Sequence, residues 1–446
     1  MTSQGGNFVN ITRAIDEGPF GSFQIRAIIL CSLVTFLDSF DTQSIAFAAP
    51  IIADNLGLSR VSLGPVFSAA LLGAMLGALT FGSLGDRFGR KRTLVIATVI
   101  FGILTLATAY ATSYESLLAI RFLAGIGLGG AMPCLIALAS EYAPKRRRAM
   151  VTSLVWTGIP LGAIFGAFMS SFILANFKWQ GIFIVGGILP LIVAVVLIVW
   201  LPESIRFLLA KGQDAAQVSR IASRIVSGLP SSARITADEE RVEGAPLKHL
   251  FSEGRGFGTL LLWVVFLTTS GTLVIVVLWA PTLMHDNGIS LTQAALVFGF
   301  SGIGVLLGTA SAGRLMEWFG PTKVLAPALV LGAIATGAMG YAGTSVVSMS
   351  AGFMLVGAFV GMGLSGSVAL AAMTYPTAIR SSGIGWAVGM GRFGQVLAPL
   401  LGALMVANQW TNAAIFLAIG IAPFVGAIAI LLLGWHRSRS GLAEVT

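Results

Sequence analysis

Twelve apolar segments follow one another along this chain, and each reaches the roughly 20 residues that a helix needs to cross a bilayer. Hydrophobic residues make up 56% of the sequence and charged residues only 10%, whereas a soluble globular protein usually has about a quarter charged residues. Because lipid offers no hydrogen-bond partners to the backbone, such segments must form helices. We therefore predict an all-α membrane protein with twelve transmembrane helices. The segments lie near residues 25–49, 62–84, 93–111, 115–140, 149–174, 181–201, 258–284, 293–315, 323–342, 347–371, 380–407 and 411–435.

The net charge of +9 raises the question of nucleic-acid binding, but the placement of the basic residues argues against it. Lysine and arginine gather in alternate loops, and only Arg60 and Lys178 fall in the loops of the other side. This is the positive-inside asymmetry of membrane proteins, and it predicts that both termini are cytoplasmic. The two cysteines, Cys31 and Cys134, lie within spans, so no disulfide framework is indicated.

The two halves of the chain repeat a short pattern. GSLGDRFGRKR at 82–92, after the second span, aligns without gaps with GRLMEWFGPTK at 313–323, after the eighth. Two related six-helix halves are the architecture of an alternating-access transporter, with the substrate site between them near the bilayer midplane. The predicted parts are a cytoplasmic N-terminal segment, a six-helix bundle, a cytoplasmic linker, a second bundle and a cytoplasmic tail, at 1–24, 25–201, 202–257, 258–435 and 436–446.

The linker contains one weak helical signal. The spacing of Val218, Ile221 and Ile225 suggests a short amphipathic helix on the membrane surface. We favour the simpler interpretation, in which the whole stretch is a solvated connection between the halves.

Two aspartates, Asp38 and Asp41, interrupt the first apolar segment. A carboxylate in the bilayer core costs about 2.5–3.5 kcal/mol on insertion scales, so it is kept there for a function. The i, i+3 spacing puts both side chains on one helix face, which must point into the bundle or into an aqueous cavity. We interpret the pair as a proton site, a substrate site, or both.

Arg121 in the fourth span lies at a depth similar to that of Asp41. Counted from the predicted helix ends, Asp41 is about 12 Å and Arg121 about 9 Å from the outer face. The two side chains can therefore form an ion pair if their helices touch. An arginine neighbour favours the charged carboxylate and burial favours the neutral acid, so a carboxyl group balanced between the two can carry a proton. A static buried ion pair is the alternative.

Arg392 lies twelve residues into the eleventh span, which is about 18 Å deep and close to the midplane. A buried guanidinium needs an anion, and it can hold a carboxylate through two parallel hydrogen bonds. We interpret Arg392 as the anchor for a substrate carboxylate; a structural role towards backbone carbonyls or the gate is the alternative. Most aromatic side chains in such a chain face lipid or pack helices, but five are candidates to line a substrate slot. They are Phe36, Phe40, Trp156, Trp279 and Phe393.

The first repeated loop is the candidate for a cytoplasmic gate. Asp86 can cap the next helix, pair with Arg90 or pair with the basic run 145–148, and such a latch would hold the gate shut in one conformation. Glu317 takes the place of Asp86 in the second half, which favours gating over orientation by charge alone. Glu141 ends the fourth span beside the basic run and is assigned to the same network. The predicted gate residues are Asp86, Arg87, Arg90, Glu141, Arg147 and Glu317.

These motifs resemble those of known transporters. GSLGDRFGRKR resembles the signature loop of the major facilitator superfamily. Within that superfamily, LDSFDTQSIAFAAP at 37–50, RFLAGIGLGGAMP at 121–133 and PES at 202–204 resemble the aromatic acid:H⁺ symporter family. Ser39 stands where that family usually has glycine. The resemblance covers the chain from about residue 25 to residue 435.

The resemblance carries expectations about fold and site. It implies the major facilitator fold, with two pseudo-symmetric six-helix halves. It implies that Asp38 and Asp41 are needed for transport and that Asp86, with the arginines of its loop, serves gating. It also suggests importance for Arg121 and Glu141.

One further motif is misleading. Gly125, Gly127 and Gly130 have the spacing of a dinucleotide-binding fingerprint, but that motif follows a strand and opens a helix. Here the glycines lie inside an apolar span, where small residues allow close helix packing. The sequence shows no Walker loop, metal cluster or nucleophile–base arrangement, so we expect neither an enzyme nor a cofactor nor a metal.

Together these features predict an importer that carries an aromatic carboxylate, such as a hydroxybenzoate or a lignin-derived acid, with protons across a bacterial inner membrane. The residues alone indicate an anion and protons, and the resemblance supplies the aromatic ring. The alternatives are another organic anion, such as nicotinate, muconate or quinate, and a proton-antiport exporter of a hydrophobic compound, although Arg392 favours anions. A receptor for aromatic acids lacks support because the linker and tails leave no room for a signalling domain. We expect a monomer in the lipid bilayer, with no nucleic-acid partner.

Overall fold

The computed structural model of this protein is almost entirely helical. It describes residues 8–18, 20–211, 215–225, 234–236, 248–252, 254–376 and 379–439. Within these residues, twelve helices are long and apolar enough to cross a membrane, which confirms the predicted number of spans. They are α2 (Ser22–Asn55), α3 (Leu63–Phe88), α4 (Arg90–Thr108), α5 (Tyr114–Glu141), α6 (Arg148–Asn176), α7 (Gln180–Trp200), α11 (Gly256–Asp286), α12 (Leu291–Phe319), α13 (Pro321–Ala338), α14 (Val346–Thr374), α15 (Arg380–Ala407) and α16 (Asn412–Arg439).

The twelve helices form two halves with the same packing scheme. Helix α3 packs on α5 and α2 packs on α6 in the first half, while α12 packs on α14 and α11 on α15 in the second. Gly73 and Gly77 of α3 lie against the backbone of α5, and Gly304 and Gly308 of α12 lie against the backbone of α14. These glycine pairs are related by the same offset as the two repeated loops. The internal repeat therefore extends from the loops into the helix contacts.

The glycines of the fourth span also serve packing. A Cβ atom at Gly125 or Gly129 would collide with a carbonyl oxygen of α3, that of Ala70 or Ala74. Glycine at these positions lets the two helix backbones approach each other closely, as small residues do in membrane proteins. The structure thus agrees with the interpretation of this stretch as a helix-packing face.

The first membrane helix is longer than the sequence predicted. Helix α2 begins at Ser22 and continues to Asn55, six residues past the predicted end. Pro50 lies inside it and is buried, and membrane helices tolerate proline where neighbouring groups satisfy the freed backbone. The carbonyl oxygen of Pro50 accepts a hydrogen bond of 2.8 Å from Arg60. The end of this helix was therefore predicted six residues too early.

Short helices lie before α2 and between the halves: α1 (Ile11–Glu17), α8 (Ile205–Ala210), α9 (Ala215–Ile225) and α10 (Lys248–Phe251). The first three pack against the first half, whereas α10 packs on α11 of the second half. Strands β1 (Phe8–Asn10) and β2 (Arg234–Thr236) pair in parallel, with Val9 opposite Ile235. The predicted amphipathic helix is present, but its apolar side chains Val218 and Ile221 are buried in protein, and it contacts α1 and α2. The favoured solvated linker is therefore wrong for this stretch.

The two halves meet at one end of the bundle and diverge towards the other. We call the end that carries the 82–92 loop, the 145–148 run and the linker the basic end, and the opposite end the closed end. At the closed end, one apolar core combines both halves, with Phe47 of α2 against Phe298 of α12. Towards the basic end, each half has a separate core of its own. The halves thus share a core at the closed end and have separate cores towards the basic end, and we call the region between the separate cores the opening.

Candidate functional site

Asp41 and Arg121 form a buried ion pair between α2 and α5. The carboxylate Oδ2 lies 2.6 Å from Nη2 of Arg121, and Oδ1 accepts a second bond of 3.2 Å from Nη1. Both side chains are essentially inaccessible to solvent. The ion pair that was predicted from the similar depths of Asp41 and Arg121 is thus present. It has the bidentate geometry that gives arginine–carboxylate pairs their strength.

A third donor reaches the same carboxylate. The hydroxyl of Thr105, on α4, donates a hydrogen bond of 2.9 Å to Oδ1 of Asp41. No motif marks this residue in the sequence, because threonine is common in membrane helices. Helices α2, α4 and α5 therefore meet at Asp41, which is bound by one side chain from each of its two neighbours.

Asp38 and Arg392 lie in a different environment from that pair. Both are partly exposed, on α2 and α15, and they are close enough for their charges to interact without forming an ion pair. Arg392 makes one long hydrogen bond within its own helix, 3.4 Å to Gln395. One helical turn away, the carbonyl oxygen of Val396 accepts a 2.8 Å bond from Ser68 across the halves. Asp38 and Arg392 therefore flank the opening next to the point where the halves close.

The aromatic candidates fall into different surroundings. Phe40 is completely buried against Phe165, so it packs α2 on α6 in this conformation. Trp279 lies at the closed end, where its indole N–H donates to the carbonyl oxygen of Pro399 and its ring packs on Phe67. Two candidates have exposed side chains, and they remain the candidates to line a substrate slot. The exposed fraction is 39% for Trp156 and 46% for Phe393. Phe36 is half-buried and lies beside Phe165.

Arg90 is the centre of the charged cluster at the basic end. It pairs with Glu141 at the end of α5 and, at 3.3 Å, with Asp86 one turn earlier in the chain. Asp86 does not cap α4, because Gly89 is the cap residue and its φ of +104° suits glycine. The remaining first-half arginines of the predicted gate, Arg87 and Arg147, stack on the rings of Phe88 and Phe20. The ion pairs of this cluster thus lie within the first half.

The side-chain acceptor for the first turn of α4 comes from Glu203, to which the sequence alone assigned no role. Glu203, from the Pro-Glu-Ser stretch, is buried and accepts hydrogen bonds of 2.9 Å from the backbone N–H groups of Lys91 and Ser204. A carboxylate at a helix N-terminus also interacts favourably with the helix dipole. The hydroxyl of Tyr142 donates to the carbonyl oxygen of Glu203, and burial raises the pKa of Tyr142 well above its usual value, which keeps that hydroxyl protonated. These contacts fix the linker to α4 and α5.

The equivalent cluster of the second half has different partners. Glu317 is exposed and forms no ion pair among the described residues. The repeat places Pro321 where the first half has Arg90, so the local partner of the carboxylate is missing. Its gating role stays a prediction.

At the closed end, an ion pair joins the halves. Arg60 lies 3.2 Å from Asp286 at the end of α11 and 2.9 Å from Asp54 at the end of α2. The sequence predicts only a solvated outer loop pair for His285 and Asp286, and the contact of Asp286 with Arg60 differs from that prediction. No loop motif marks this contact, because its residues belong to different halves. Elsewhere in the described part of the chain, no three His, Cys, Asp or Glu side chains come together to hold a metal ion.

Comparison with known proteins agrees with this architecture. The profile of the Major Facilitator Superfamily matches residues 31–343 and 260–443. The 4-hydroxybenzoate transporter PcaK of Pseudomonas putida is 34% identical over 96% of both chains, and the gallate transporter of the same species is 34% identical over 97% of this chain and 96% of its own. The crystal structure of a D-xylose-proton symporter superimposes with a TM-score of 0.72 at 21% identity, over 92% of this chain and 97% of that one. This chain therefore belongs to the major facilitator superfamily, and it is a membrane transporter and not an enzyme.

Proposed function

We propose that this protein imports an aromatic carboxylate together with protons across a bacterial inner membrane. The basic end faces the cytoplasm in this proposal, because lysine and arginine concentrate on that side. The opening between the halves is then an inward-open cavity, and both termini are cytoplasmic. Relatives named for 4-hydroxybenzoate and gallate support the aromatic ring of the substrate.

The observation that carries the proposal is the position of Arg392. Its guanidinium is partly exposed beside the opening and, among the residues that the structure describes, has one long hydrogen bond, to Gln395. A guanidinium at this depth is costly unless an anion meets it, and a substrate carboxylate can accept two parallel hydrogen bonds from it. The exposed ring of Phe393, the next residue, is a candidate contact for the aromatic part of the substrate. Trp156 stays a second candidate.

Proton coupling in this proposal uses the carboxyl groups of α2. Asp41 is paired with Arg121 in the inward-open state, which is the arrangement expected after its proton has left towards the cytoplasm. Asp38, one turn before Asp41 on α2, is close enough to both Asp41 and Arg392 for their charges to interact. Closing the cavity is cheapest when buried charges are neutralised or paired. Substrate and protons would therefore cross together, and the empty carrier would return with its carboxylates paired inside.

The charged cluster at the basic end is proposed to control closure of the cavity. Asp86 has a side chain that is 70% exposed, although it lies near Arg90. That exposure leaves it accessible to the second half when the halves come together at the basic end. Arg90 and Glu141 hold the ends of α4 and α5 as one unit during that movement.

Proton movement in proteoliposomes tests the proposal. Adding a panel of aromatic acids to vesicles that contain the wild-type protein should make the external solution more alkaline, and Asp41→Asn should lose that signal. Glu115→Gln, at an exposed acid of α5, should behave like the wild type. If labelled substrate equilibrates while no acid moves protons, the coupling proposal is wrong.

The same assay separates the rival functions. Proton uptake with nicotinate, muconate or quinate, and not with benzoates, would identify another organic anion as the substrate. Acidification of the external solution while an added hydrophobic compound enters the vesicles would identify proton antiport and thus an exporter, because antiport moves protons and compound in opposite directions. Arg392 favours the anion importers over the exporter, because a cation beside the opening has no role towards neutral or cationic compounds.

A further inference from the structure

Thr105 differs from the other threonines of its helix. Thr93, Thr98 and Thr108 of α4 each donate their hydroxyl to the backbone carbonyl four residues earlier, the usual arrangement in an apolar helix. Thr105 instead donates across the helix interface to Oδ1 of Asp41. A hydroxyl group has only one proton to donate, so this contact replaces the intrahelical bond.

The side chain of Thr105 is held in this orientation by its surroundings. It is completely buried. Its methyl group faces Gly186 of α7, where a Cβ atom would lie 3.3 Å from it. The same glycine makes room for the ring of Phe40. The glycine thus leaves space for the methyl group, and the hydroxyl is directed at the carboxylate.

The hydroxyl discriminates between the two protonation states of Asp41. A hydrogen bond from O–H to a charged carboxylate is about twice as strong as one to a neutral group. The contact therefore stabilises the carboxylate more than the acid. We propose that Thr105 is a positioning residue of the proton-coupling site, whose hydroxyl promotes release of the proton from Asp41 while the basic end is open.

The inference rests on the proposed function, and the other charges near Asp41 define its limits. Arg121 of α5 is in direct contact with Asp41. Asp38 lies one turn before Asp41 on α2, close enough to Arg392 of α15 for their charges to interact. Helix α7 has no titratable residue and α6 has only Arg148, at its start near the basic end. The titratable residues of α11, His285 and Asp286, lie at the closed end. Thr105 is therefore an uncharged hydrogen-bond donor to the carboxylate of Asp41, whose charged partner is Arg121.

The test compares Thr105→Val with Thr105→Ser and with Thr98→Val. Valine keeps the shape of threonine without its donor, serine keeps the donor, and Thr98 is a buried threonine of the same helix that bonds only its own backbone. In proteoliposomes, Thr105→Val should accumulate less substrate at neutral internal pH. Accumulation by this variant should recover when the internal pH is raised by roughly 0.5–1 unit. Without the hydroxyl group, Asp41 should release its proton only at a lower internal proton concentration. Exchange of labelled for unlabelled substrate, which needs no proton release, should stay within about twofold of the wild type. Thr105→Ser and Thr98→Val should keep the wild-type pH profile.

Two results would overturn the inference: a wild-type pH profile for Thr105→Val, or equal loss of exchange and accumulation, which would mean a structural role. Thermal unfolding in detergent gives a readout that needs no substrate. Thr105→Val should lower the melting temperature in the wild-type background and less in the Asp41→Asn background, because the charged acceptor is then gone. An equal effect in both backgrounds contradicts the inference. If the wild type moves no aromatic acid, the proposed function fails. The melting data still decide whether Thr105 stabilises the charged carboxylate of Asp41.

Discussion

Arg60 and Asp286 are 226 positions apart in the sequence, yet the guanidinium of Arg60 lies 3.2 Å from the carboxylate of Asp286 and joins the two halves at the closed end. Arg60 also reaches Asp54 and the carbonyl oxygen of Pro50, so one side chain connects α11 to the end of α2. Behind it, Phe67 of α3 packs on Trp279 of α11. The closed end thus has a polar outer contact over an apolar inner one.

Loss of the Arg60 contacts should favour opening at the closed end. Because the pair is partly exposed, Arg60→Gln should change the conformational equilibrium by only about 0.2–1 kcal/mol, or roughly 1.4- to 5-fold. A cysteine introduced at Ala46, which is buried in the shared core, reports the change through its rate of labelling by a thiol reagent. Both native cysteines are buried, so the background is low. Lys178→Gln, at the other basic residue of this end, should leave the rate unchanged.

Removal of Arg121 should destabilise the protein more than removal of the whole pair. Arg121→Gln leaves the carboxylate of Asp41 buried without its charged partner, which costs about 3–5 kcal/mol. The double variant Arg121→Gln/Asp41→Asn has no uncompensated charge and should recover much of that loss. Thermal unfolding in detergent measures both. A double variant that is less stable than Arg121→Gln would contradict this account of the pair.

Arg392 should contribute to affinity for the negative charge of the substrate. Arg392→Gln is expected to weaken binding of an aromatic carboxylate by about 10- to 100-fold, the range of a hydrogen bond to a charged group. Arg392→Lys should lose less, because it keeps the charge but not the bidentate geometry. Calorimetric titration of the purified protein measures both, with Arg314→Gln, at an exposed arginine of α12, as the control. Unchanged affinity in Arg392→Gln would remove Arg392 from the substrate site.

Glu203 should matter for stability rather than for substrate binding. Glu203→Ala deprives the backbone N–H groups of Lys91 and Ser204 of their buried acceptor, and we expect a loss of about 1–3 kcal/mol. The melting temperature should fall while substrate affinity stays within experimental error of the wild type. Glu115→Ala, at an exposed acid in the first turn of α5, should be almost neutral. A loss of affinity at unchanged stability would show that this account of Glu203 is wrong.

Several features of the site could be predicted because they depend on local composition and on depth in the bilayer. A carboxylate and a guanidinium inside apolar segments must find partners, so Asp41 and Arg121 were marked before their helices were known to touch. Their pairing was anticipated although the end of α2 was misplaced by six residues. By contrast, Thr105 and Glu203 are ordinary residues whose roles come from what lies opposite them in space.

The twelve spans and the two related halves can be recognised from the order of the amino acids alone. These follow from the length and apolarity that a bilayer demands of a helix and from the repeat of glycines and charges. Three other features became apparent in the folded chain: Phe40 is buried in packing, Arg60 meets Asp286, and the opening faces the basic end. Such contacts join positions far apart in the chain, and their energies depend on how the two halves are placed, which no local pattern of residues encodes.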